Sequence, residues 1–480
     1  MAFQLQLNKK ICTKKIFFVV FLIVTLIPTY FIHKTTYPDW GDDFAQYVYQ
    51  GQQINNQSES YKKVLNIEEY SSPKRSVTFS ILLSIIPTTN CFQDYISLNS
   101  FVYILAGICF FLFLTNCFSL TISMLTTLIV FYNHFFLSLK SEIVPEFLFI
   151  AFFYLILYLS FQPQKWLTYL IPFLIALLVS TRFIGLSLLL SYLIYTNTNK
   201  NETVIEKIKS VLISLIIFSI PTLFINFYFL PSINNNEFNF YATFINSNLS
   251  PHAFLNNINL SISNLNLFFE NEIPNWLNII FSFFAFCFLI LGLIISFKEH
   301  KKLTLISLVF YMLFLFIYPY NIESIRFLIP IFPLIIFFSI SGIYFVSIKL
   351  SNKKTNIIMI TILSLVFLSQ SKSIWLSINN LNNTNSLGPN NALVLNDFTL
   401  IKSIVKPSEN IAFSKPFIIN LLGDRNSYFI NTENQLKILA KADYYLCPKQ
   451  KIFELHQSNQ HIKISKGDTI FLTNFYLIKI

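Results

Sequence analysis

The chain begins with an apolar run that is followed by an acidic pair. Residues 16–32 read IFFVVFLIVTLIPTYFI, and residues 37–47 read YPDWGDDFAQY, with Asp42 and Asp43 side by side. The first run predicts a bilayer-crossing helix, which takes about 20 apolar residues. No small-x-small cleavage signal follows it, so we expect a retained anchor rather than a signal peptide. The two carboxylates are therefore expected at a membrane surface.

The composition places the whole chain in the membrane class. Of its 480 residues, 54% are hydrophobic and only 12% are charged, whereas soluble domains are about 25% charged. The net charge of +11 comes from basic residues at the ends of apolar runs, a pattern that orients membrane proteins. We therefore expect membrane lipids as partners and no nucleic acid.

Several kinds of site are missing from the sequence. The six cysteines form no CxxC pair, and neither GxGxxG nor GxxxxGK[ST] occurs, so nucleotide cradles and zinc ribbons are not indicated. There is also no DxD triplet of the kind that holds a nucleotide-sugar through a metal. An activated substrate is thus expected on a lipid. The sequence requires no cofactor and leaves room for a divalent metal, although its histidines show no ligand spacing.

Apolar runs recur along most of the chain and predict a polytopic helical bundle of about eleven spans. They cover residues 16–32, 96–116, 118–137, 146–161, 166–180, 183–195, 210–230, 276–297, 303–319, 327–348 and 355–370. The shorter apolar run over 77–88 is interpreted as interfacial. No internal repeat is evident, which disfavours inverted-repeat transporters.

The distribution of lysine predicts that the N-terminus lies inside. With that orientation, the inner segments hold Lys9, Lys10, Lys14, Lys15, Lys165, Lys200, Lys207, Lys209, Lys298, Lys301, Lys302, Lys349, Lys353 and Lys354. The outer loop 231–275 contains no Lys or Arg. By the positive-inside rule, the first loop 33–95, the loop 231–275 and the C-terminal tail are outside.

The tail differs in composition from the bundle. Short strand-like runs at 392–395, 410–413, 427–430 and 443–446 alternate with helix-like pieces such as 432–441, and further strands are expected at 462–465 and 469–478. We therefore predict residues 1–371 as a mostly α transmembrane module. Residues 372–480 are predicted as a small extracytoplasmic α/β domain with a partly parallel sheet.

Asp42 and Asp43 are the first candidates for chemistry. They precede Phe44, Tyr47 and Val48 at helical spacing, so Asp42 fits an N-cap and Asp43 the first turn of a surface helix. Capping and catalysis are compatible, because a capped helix holds a carboxylate rigidly.

A polar turn between the third and fourth apolar runs is a second candidate. Lys140, Ser141 and Glu142 lie there, with Glu146 at the start of the next run. Glu142 and Lys140 are candidates to bind a sugar or a metal. The alternative is an ordinary polar turn, with Glu146 in the first turn of a helix.

Two arginines interrupt apolar sequence further along. Arg182 stands in VSTRFIGL (179–186), and Arg326 stands in YPYNIESIRF (318–327). Charges near the bilayer indicate function by default, and a guanidinium binds phosphate with a fork of N–H donors. The alternatives are an ion pair between Arg326 and Glu323, or snorkelling of either side chain to the headgroups.

Together these motifs resemble those of GT-C-type glycosyltransferases, the group that contains protein O-mannosyltransferases and bacterial aminoarabinose transferases. The resemblance spans roughly residues 10–350 and rests on GDDFAQY (41–47), Ser141-Glu142, TRFIG (181–185) and RFLIP (326–330). Asp43 stands where family members often have Glu, and Ser72-Pro73-Lys74-Arg75 only faintly echoes a Lys-Pro-Pro-like step.

The resemblance implies an enzyme of the bacterial inner membrane with its active site on the periplasmic side. It would transfer a sugar, with inversion, from a polyprenyl-phosphate donor to a hydroxyl of a glycan, lipid or protein acceptor. By the same resemblance Asp42 is the general base, with Asp43 beside it. Arg182 and Arg326 stabilise the leaving phosphate, and Glu142, Lys140 and Tyr47 help bind substrate.

Two other classes remain open. A lipid or polysaccharide flippase would carry ionisable residues deep in several spans, whereas this chain keeps its charges near the span ends. An O-antigen ligase or polymerase would have a large basic outer loop, and loop 231–275 holds His252 but no Lys or Arg.

Overall fold

The computed structural model describes most of the chain. The described residues are 2–32, 42–56, 77–87, 92–198, 203–229, 251–268, 275–298, 302–317, 324–371, 374–375, 379, 392–430, 439, 441–449 and 469–480. They fall into two compact units. The first comprises Met1–His33, Asn99–Lys140 and Pro145–Asn382, and the second comprises Lys34–Leu98, Ser141–Val144 and Asn383–Ile480. The predicted division at residues 371 and 372 remains a prediction.

Helices make up most of the described chain. In chain order they are α1 (Ala2–Tyr30), α2 (Asp42–Asn56), α3 (Val77–Leu83), α4 (Phe92–Leu114), α5 (Leu120–Phe131), α6 (His134–Lys140), α7 (Glu146–Ser160), α8 (Leu167–Thr181), α9 (Leu186–Asn197), α10 (Val204–Phe229), α11 (Pro251–Leu267), α12 (Asn275–Lys298), α13 (Lys302–Ile317), α14 (Ser324–Leu328), α15 (Phe332–Leu350), α16 (Thr355–Ser369), α17 (Ala392–Ile404) and α18 (Pro416–Ile418). The predicted mostly α architecture is confirmed.

Each predicted apolar run falls on one or more of these helices. By length and composition, four are fit to cross a membrane: Thr13–Tyr30, Phe92–Leu114, Val204–Ile225 and Phe332–Leu350. A fifth is formed if α5 and α6 are one broken span, and shorter apolar stretches of 10–17 described residues lie on α7, α8, α9, α12, α13 and α16. The number of eleven spans and their orientation remain predictions.

The predicted continuous span 118–137 is in fact broken. Helices α5 and α6 meet at a bend of 65°. At the bend, Asn133 accepts the backbone N–H of Phe135 on its side-chain oxygen (3.1 Å) and donates to the carbonyl of Phe268 (3.1 Å). A side chain that bonds its own neighbouring backbone competes with the helix ladder, so the helix restarts here.

Two glycines allow α12 and α15 to approach closely. A Cβ at Gly292 would lie 1.8 Å from the carbonyl oxygen of Phe338, and a Cβ at Gly342 would lie 2.1 Å from that of Phe288. Neither position can carry a side chain without a shift of backbone. Small residues at a helix crossing increase dispersion contact, which matters because lipid supplies no hydrophobic drive between helices.

The core of the first unit is aromatic and links α4, α7 and α15. Tyr154 on α7 meets Phe110 edge-on at 4.8 Å, and Phe113 lies 5.0 Å from Phe337. All four rings are buried. Such pairs add about 0.5–1.5 kcal/mol beyond burial, so they fix the position of α7, whose first residue is Glu146.

The second unit contains a mixed five-stranded sheet. Its strands are β1 (Asn410–Phe413), β2 (Asn426–Phe429), β3 (Tyr444–Pro448), β4 (Thr469–Phe471) and β5 (Phe475–Lys479), in the order β2-β1-β3-β5-β4. Strand β1 pairs in parallel with β2 and β3, while β5 pairs antiparallel with β3 and β4. The predicted partly parallel sheet and its strands near 410, 427 and 443 are confirmed.

Two predictions for the tail are wrong. Residues 392–395 begin α17 rather than a strand, because Val394, Phe398 and Ile401 recur at helical spacing and are buried. Residues 469–478 form two strands, β4 and β5, around a turn. The buried carboxylate of Asp397 accepts the turn's backbone N–H groups from Thr473 and Asn474, each at 2.7 Å. The predicted strand 462–465 and most of the predicted helix 432–441 lie outside the described residues.

Candidate functional site

Three charged residues of the first unit come from breaks in helical structure. Glu146 is the first residue of α7 and follows Pro145. Arg182 ends α8 in an extended conformation (φ −151°, ψ 132°) before a short 3-10 turn, and Arg326 lies on the five-residue α14. Broken helices inside membrane bundles persist only where protein or a polar cavity satisfies the backbone, which is why ligand sites collect at such breaks.

The three side chains form one cluster. Nη1 of Arg182 donates to Oε1 of Glu146 at 2.8 Å, and Nε of Arg326 donates to the same oxygen at 2.9 Å. The side chain of Glu146 is fully buried, while those of Arg182 and Arg326 are 13% and 19% exposed. The carboxylate thus sits beneath two guanidiniums that still reach a surface of the unit.

Aromatic residues hold the cluster in place. The guanidinium of Arg182 stacks over the ring of Phe327, with 4.4 Å from Cζ to the ring centroid. The hydroxyl of Tyr311 donates to the carbonyl of Phe327 at 2.8 Å, and that of Tyr154 donates to the carbonyl of Pro330 at 3.1 Å. Both tyrosines are buried, so the break after α14 is fixed by bonds that membrane lipid cannot replace.

The cluster retains bonding capacity. Within the described part of the chain, Oε2 of Glu146 is buried without a hydrogen-bond partner. The guanidinium of Arg182 donates one N–H to Glu146 and, again among the described residues, its side chain shows no other hydrogen bond. Two guanidiniums thus meet at one carboxylate, and the side chain of Arg182 keeps N–H donors that can bind a phosphate or carboxylate group.

The sequence singled out the two arginines but did not identify Glu146 as the carboxylate that joins them. Glu142, the predicted ligand, lies in the second unit and is half-buried, whereas Glu146 joins both arginines. The available signal was a carboxylate at the first position of an otherwise apolar helix. In a membrane protein that residue needs a cationic partner as well as a helix dipole.

Lys140 is enclosed within the first unit. Its ammonium donates to the carbonyl of Ile32 at 2.6 Å and to Oγ of Ser100 at 3.5 Å, and its side chain is fully buried. Its own carbonyl accepts from the side chain of Asn99 at 3.0 Å. These bonds tie α6 to α4 and to the residue pair that follows α1.

The acidic pair begins α2 in the second unit. Asp42 is the first residue of that helix and its side chain lies outside the described part, while Asp43 is half-buried. Tyr47, one turn further on, is 3% exposed and meets the ring of Phe79 edge-on at 5.5 Å. Tyr47 therefore anchors α2 to α3.

Helix α2 is held from several sides. Ser80 on α3 donates to the side-chain oxygen of Gln50 at 2.9 Å, and a Cβ at Gly51 would lie 3.0 Å from the carbonyl of Ser80. Helix α2 also contacts α18 and the π-helical turn Ile419–Gly423, which directly follows α18. Burial, with a smaller contribution from Asp424, raises the pKa of Tyr49 to about 12.

Metal-ligating side chains do not gather in the described parts of either unit. No three His, Cys, Asp or Glu residues come together there in a metal-binding group.

The fold is that of a known membrane transferase. ArnT from Cupriavidus metallidurans bound to undecaprenyl phosphate superposes with a TM-score of 0.55 at 8% identity, covering 96% of this chain and 97% of that one. The apo state of the same protein gives 0.53, with the same identity and coverage. No protein-family model and no curated protein matches the sequence. The chain thus has the GT-C aminoarabinose-transferase fold that its motifs led us to expect.

Proposed function

We propose that this chain is a glycosyltransferase that moves a sugar from a polyprenyl-phosphate carrier to an acceptor hydroxyl. The observation that carries the proposal is the arginine pair on Glu146, an anion site at helix breaks in a chain with the fold of a protein that binds undecaprenyl phosphate. A lipid-linked phosphate is the ligand that such a site in a membrane bundle suits best.

The proposed reaction inverts the anomeric carbon. Asp42 takes the proton of the acceptor hydroxyl, whose oxygen then forms a bond to that carbon from the face opposite the phosphate. The bond from carbon to phosphate oxygen breaks, and its electron pair leaves with the carrier phosphate. General-base assistance of this kind contributes about 10²–10⁴-fold. Asp43 is proposed to orient the acceptor or the sugar.

The arginines act on the leaving group. As the carbon–oxygen bond breaks, negative charge grows on the phosphate, and prealigned guanidiniums stabilise it more than they stabilise the donor. Arg182 and Arg326 are fixed by Glu146 before the donor arrives, so little reorganisation is needed.

The location follows from the lysine bias of the sequence. We propose a multi-pass protein of the bacterial inner membrane, with α2, the arginine pair and the tail on the periplasmic side. The glycan, lipid or protein that accepts the sugar is proposed to meet the tail, residues 372–480. Transfer that survives deletion of the tail would contradict that role.

The test is sugar transfer in membranes. A panel of radiolabelled polyprenyl-phosphate sugars is offered to the wild type, to Asp42→Asn and to Glu206→Gln, an exposed carboxylate that serves as control. We expect transfer by the wild type and the control and its loss in Asp42→Asn at equal protein level. Transfer retained by Asp42→Asn would reduce Asp42 to a helix cap, and no transfer by the wild type would favour a flippase or an O-antigen ligase.

A further inference from the structure

The carboxylate of Glu146 is itself an anion in an anion site. It accepts from Arg182 and from Arg326 through one oxygen, while Oε2 has no hydrogen-bond partner among the described residues. A carboxylate needed only to fix two arginines would be expected to use both oxygens. The arrangement instead joins each guanidinium to Glu146 through one N–H, and both N–H groups meet the same oxygen.

The charges explain why a carboxylate is needed there. Two guanidiniums brought to one atom repel each other, and burial makes the repulsion stronger than it would be in water. Glu146 is fully buried and supplies the compensating negative charge while the site is empty. A phosphate that enters meets this charge and competes with it for the same donors.

We propose that Glu146 is an internal counter-anion that holds the arginine pair together in the empty site and limits how tightly the pair binds phosphate. The inference rests on the proposed function, in which a polyprenyl phosphate must be released after each transfer. Without this carboxylate, the two arginines would bind the polyprenyl phosphate more tightly, and its release would be slower. Glu146 is thus a positioning residue that also sets the affinity for phosphate.

Replacement of the charged Glu146 by a neutral residue should increase the affinity for phosphate, whereas loss of a binding-site residue usually decreases it. In Glu146→Gln, the affinity for undecaprenyl phosphate should rise at least about tenfold, because a like charge beside a partly buried anion is gone. Transfer under saturating donor should fall because product release slows. If Glu146 served only to hold the arginines in place, its loss would disorder the pair and weaken the binding of undecaprenyl phosphate.

The measurement uses full-length protein in nanodiscs of uncharged lipid. Undecaprenyl phosphate and, separately, inorganic phosphate are titrated into the wild type, Glu146→Gln and the exposed control Glu206→Gln, and the dissociation constants are compared. Tighter binding of both ligands by Glu146→Gln alone supports the inference. Unchanged or weaker binding overturns it.

A charge-balanced pair of variants covers the case in which Glu146→Gln does not fold. Arg182→Gln leaves one arginine opposite Glu146 and should bind phosphate poorly, and Arg182→Gln with Glu146→Gln removes the carboxylate from beside that arginine. The double variant should bind at least about tenfold more tightly than Arg182→Gln. Equal or weaker binding by the double variant refutes the counter-anion role.

The two ligands separate this inference from the proposed function. If inorganic phosphate gains affinity in the variants but undecaprenyl phosphate binds to none of the proteins, the counter-anion role stands and the polyprenyl-phosphate donor is refuted. If the wild type binds undecaprenyl phosphate and the variants gain nothing, the donor site stands and the role of Glu146 fails.

Discussion

Arg182 directly follows α8 and Arg326 lies on α14, and both donate to the same oxygen of Glu146, at 2.8 and 2.9 Å. Each is the only arginine near its helix break, and each remains partly exposed while the carboxylate beneath them is buried. Shared use of one acceptor brings the two guanidiniums together. Two isolated cations near a bilayer thereby become a single site that can receive a phosphate.

Replacement of Arg182 by lysine should weaken donor binding although the charge is kept. An ammonium lacks the planar fork that bonds Glu146 while stacking over Phe327. We expect the KM for the donor to rise about tenfold, measured as initial rates of sugar transfer. The reverse exchange Lys349→Arg, at an exposed helix end, is the control. Equal KM values for Arg182→Lys and the wild type would remove Arg182 from the donor site.

Removal of divalent metal should leave transfer intact. In the proposed mechanism the arginine pair offsets the charge of the leaving phosphate, which is the role a metal ion plays in other transferases. We expect rates within about twofold of each other in EDTA and in added Mg²⁺ or Mn²⁺, since one bound cation would otherwise supply several kcal/mol. Loss of transfer in EDTA, restored by metal, would require a metal site beside the arginines.

Loss of the bond between Ser80 and Gln50 should disturb the helix that carries the acidic pair. Ser80→Ala removes a buried hydrogen bond of 2.9 Å, which costs about 1–3 kcal/mol, and loosens α2. We expect transfer to fall about tenfold, because small misplacement of catalytic groups is costly. The control is Ser84→Ala, whose hydroxyl donates to the nearby carbonyl of Ile81 within the same short segment. Equal activity of both variants would argue against α2 as a catalytic element.

Substitution of Gly292 by alanine should destabilise the helical unit. The new Cβ would overlap the carbonyl oxygen of Phe338 on α15, so α12 and α15 would have to separate. Overpacking of this kind costs about 1–3 kcal/mol and should lower the thermal unfolding temperature of the purified protein. Gly423→Ala is the control, since its Cβ would meet other atoms at 3.7 Å or more. No difference between the two would mean that the helices separate at little cost.

The tail illustrates how far local pattern carries. The strands near residues 410, 427 and 443 were predictable because β-branched and aromatic residues cluster there between turn signals. Residues 392–395 were not, since a run of four apolar residues fits a strand and a helix equally. The helical period of α17 becomes clear only when the burial of Phe398 and Ile401, further along the chain, is known.

The break at Asn133 illustrates a limit of hydropathy. A single amide inside an apolar run is compatible with a continuous span, and the window 118–137 is apolar enough to be one. What interrupts the helix is a partner from elsewhere, the carbonyl of Phe268, together with the N–H of Phe135. Such a partner is absent from the local sequence.

The sequence by itself determined that this is a mostly helical membrane protein, that an acidic pair follows its first helix, and that Arg182 and Arg326 interrupt apolar sequence. These properties are local, because the hydrophobicity and charge of a single stretch of sequence are enough to identify them. Only the tertiary structure decided that Glu146 joins the two arginines. That choice depends on contacts between residues 36 and 180 positions apart, which the fold of the first unit brings within hydrogen-bonding distance.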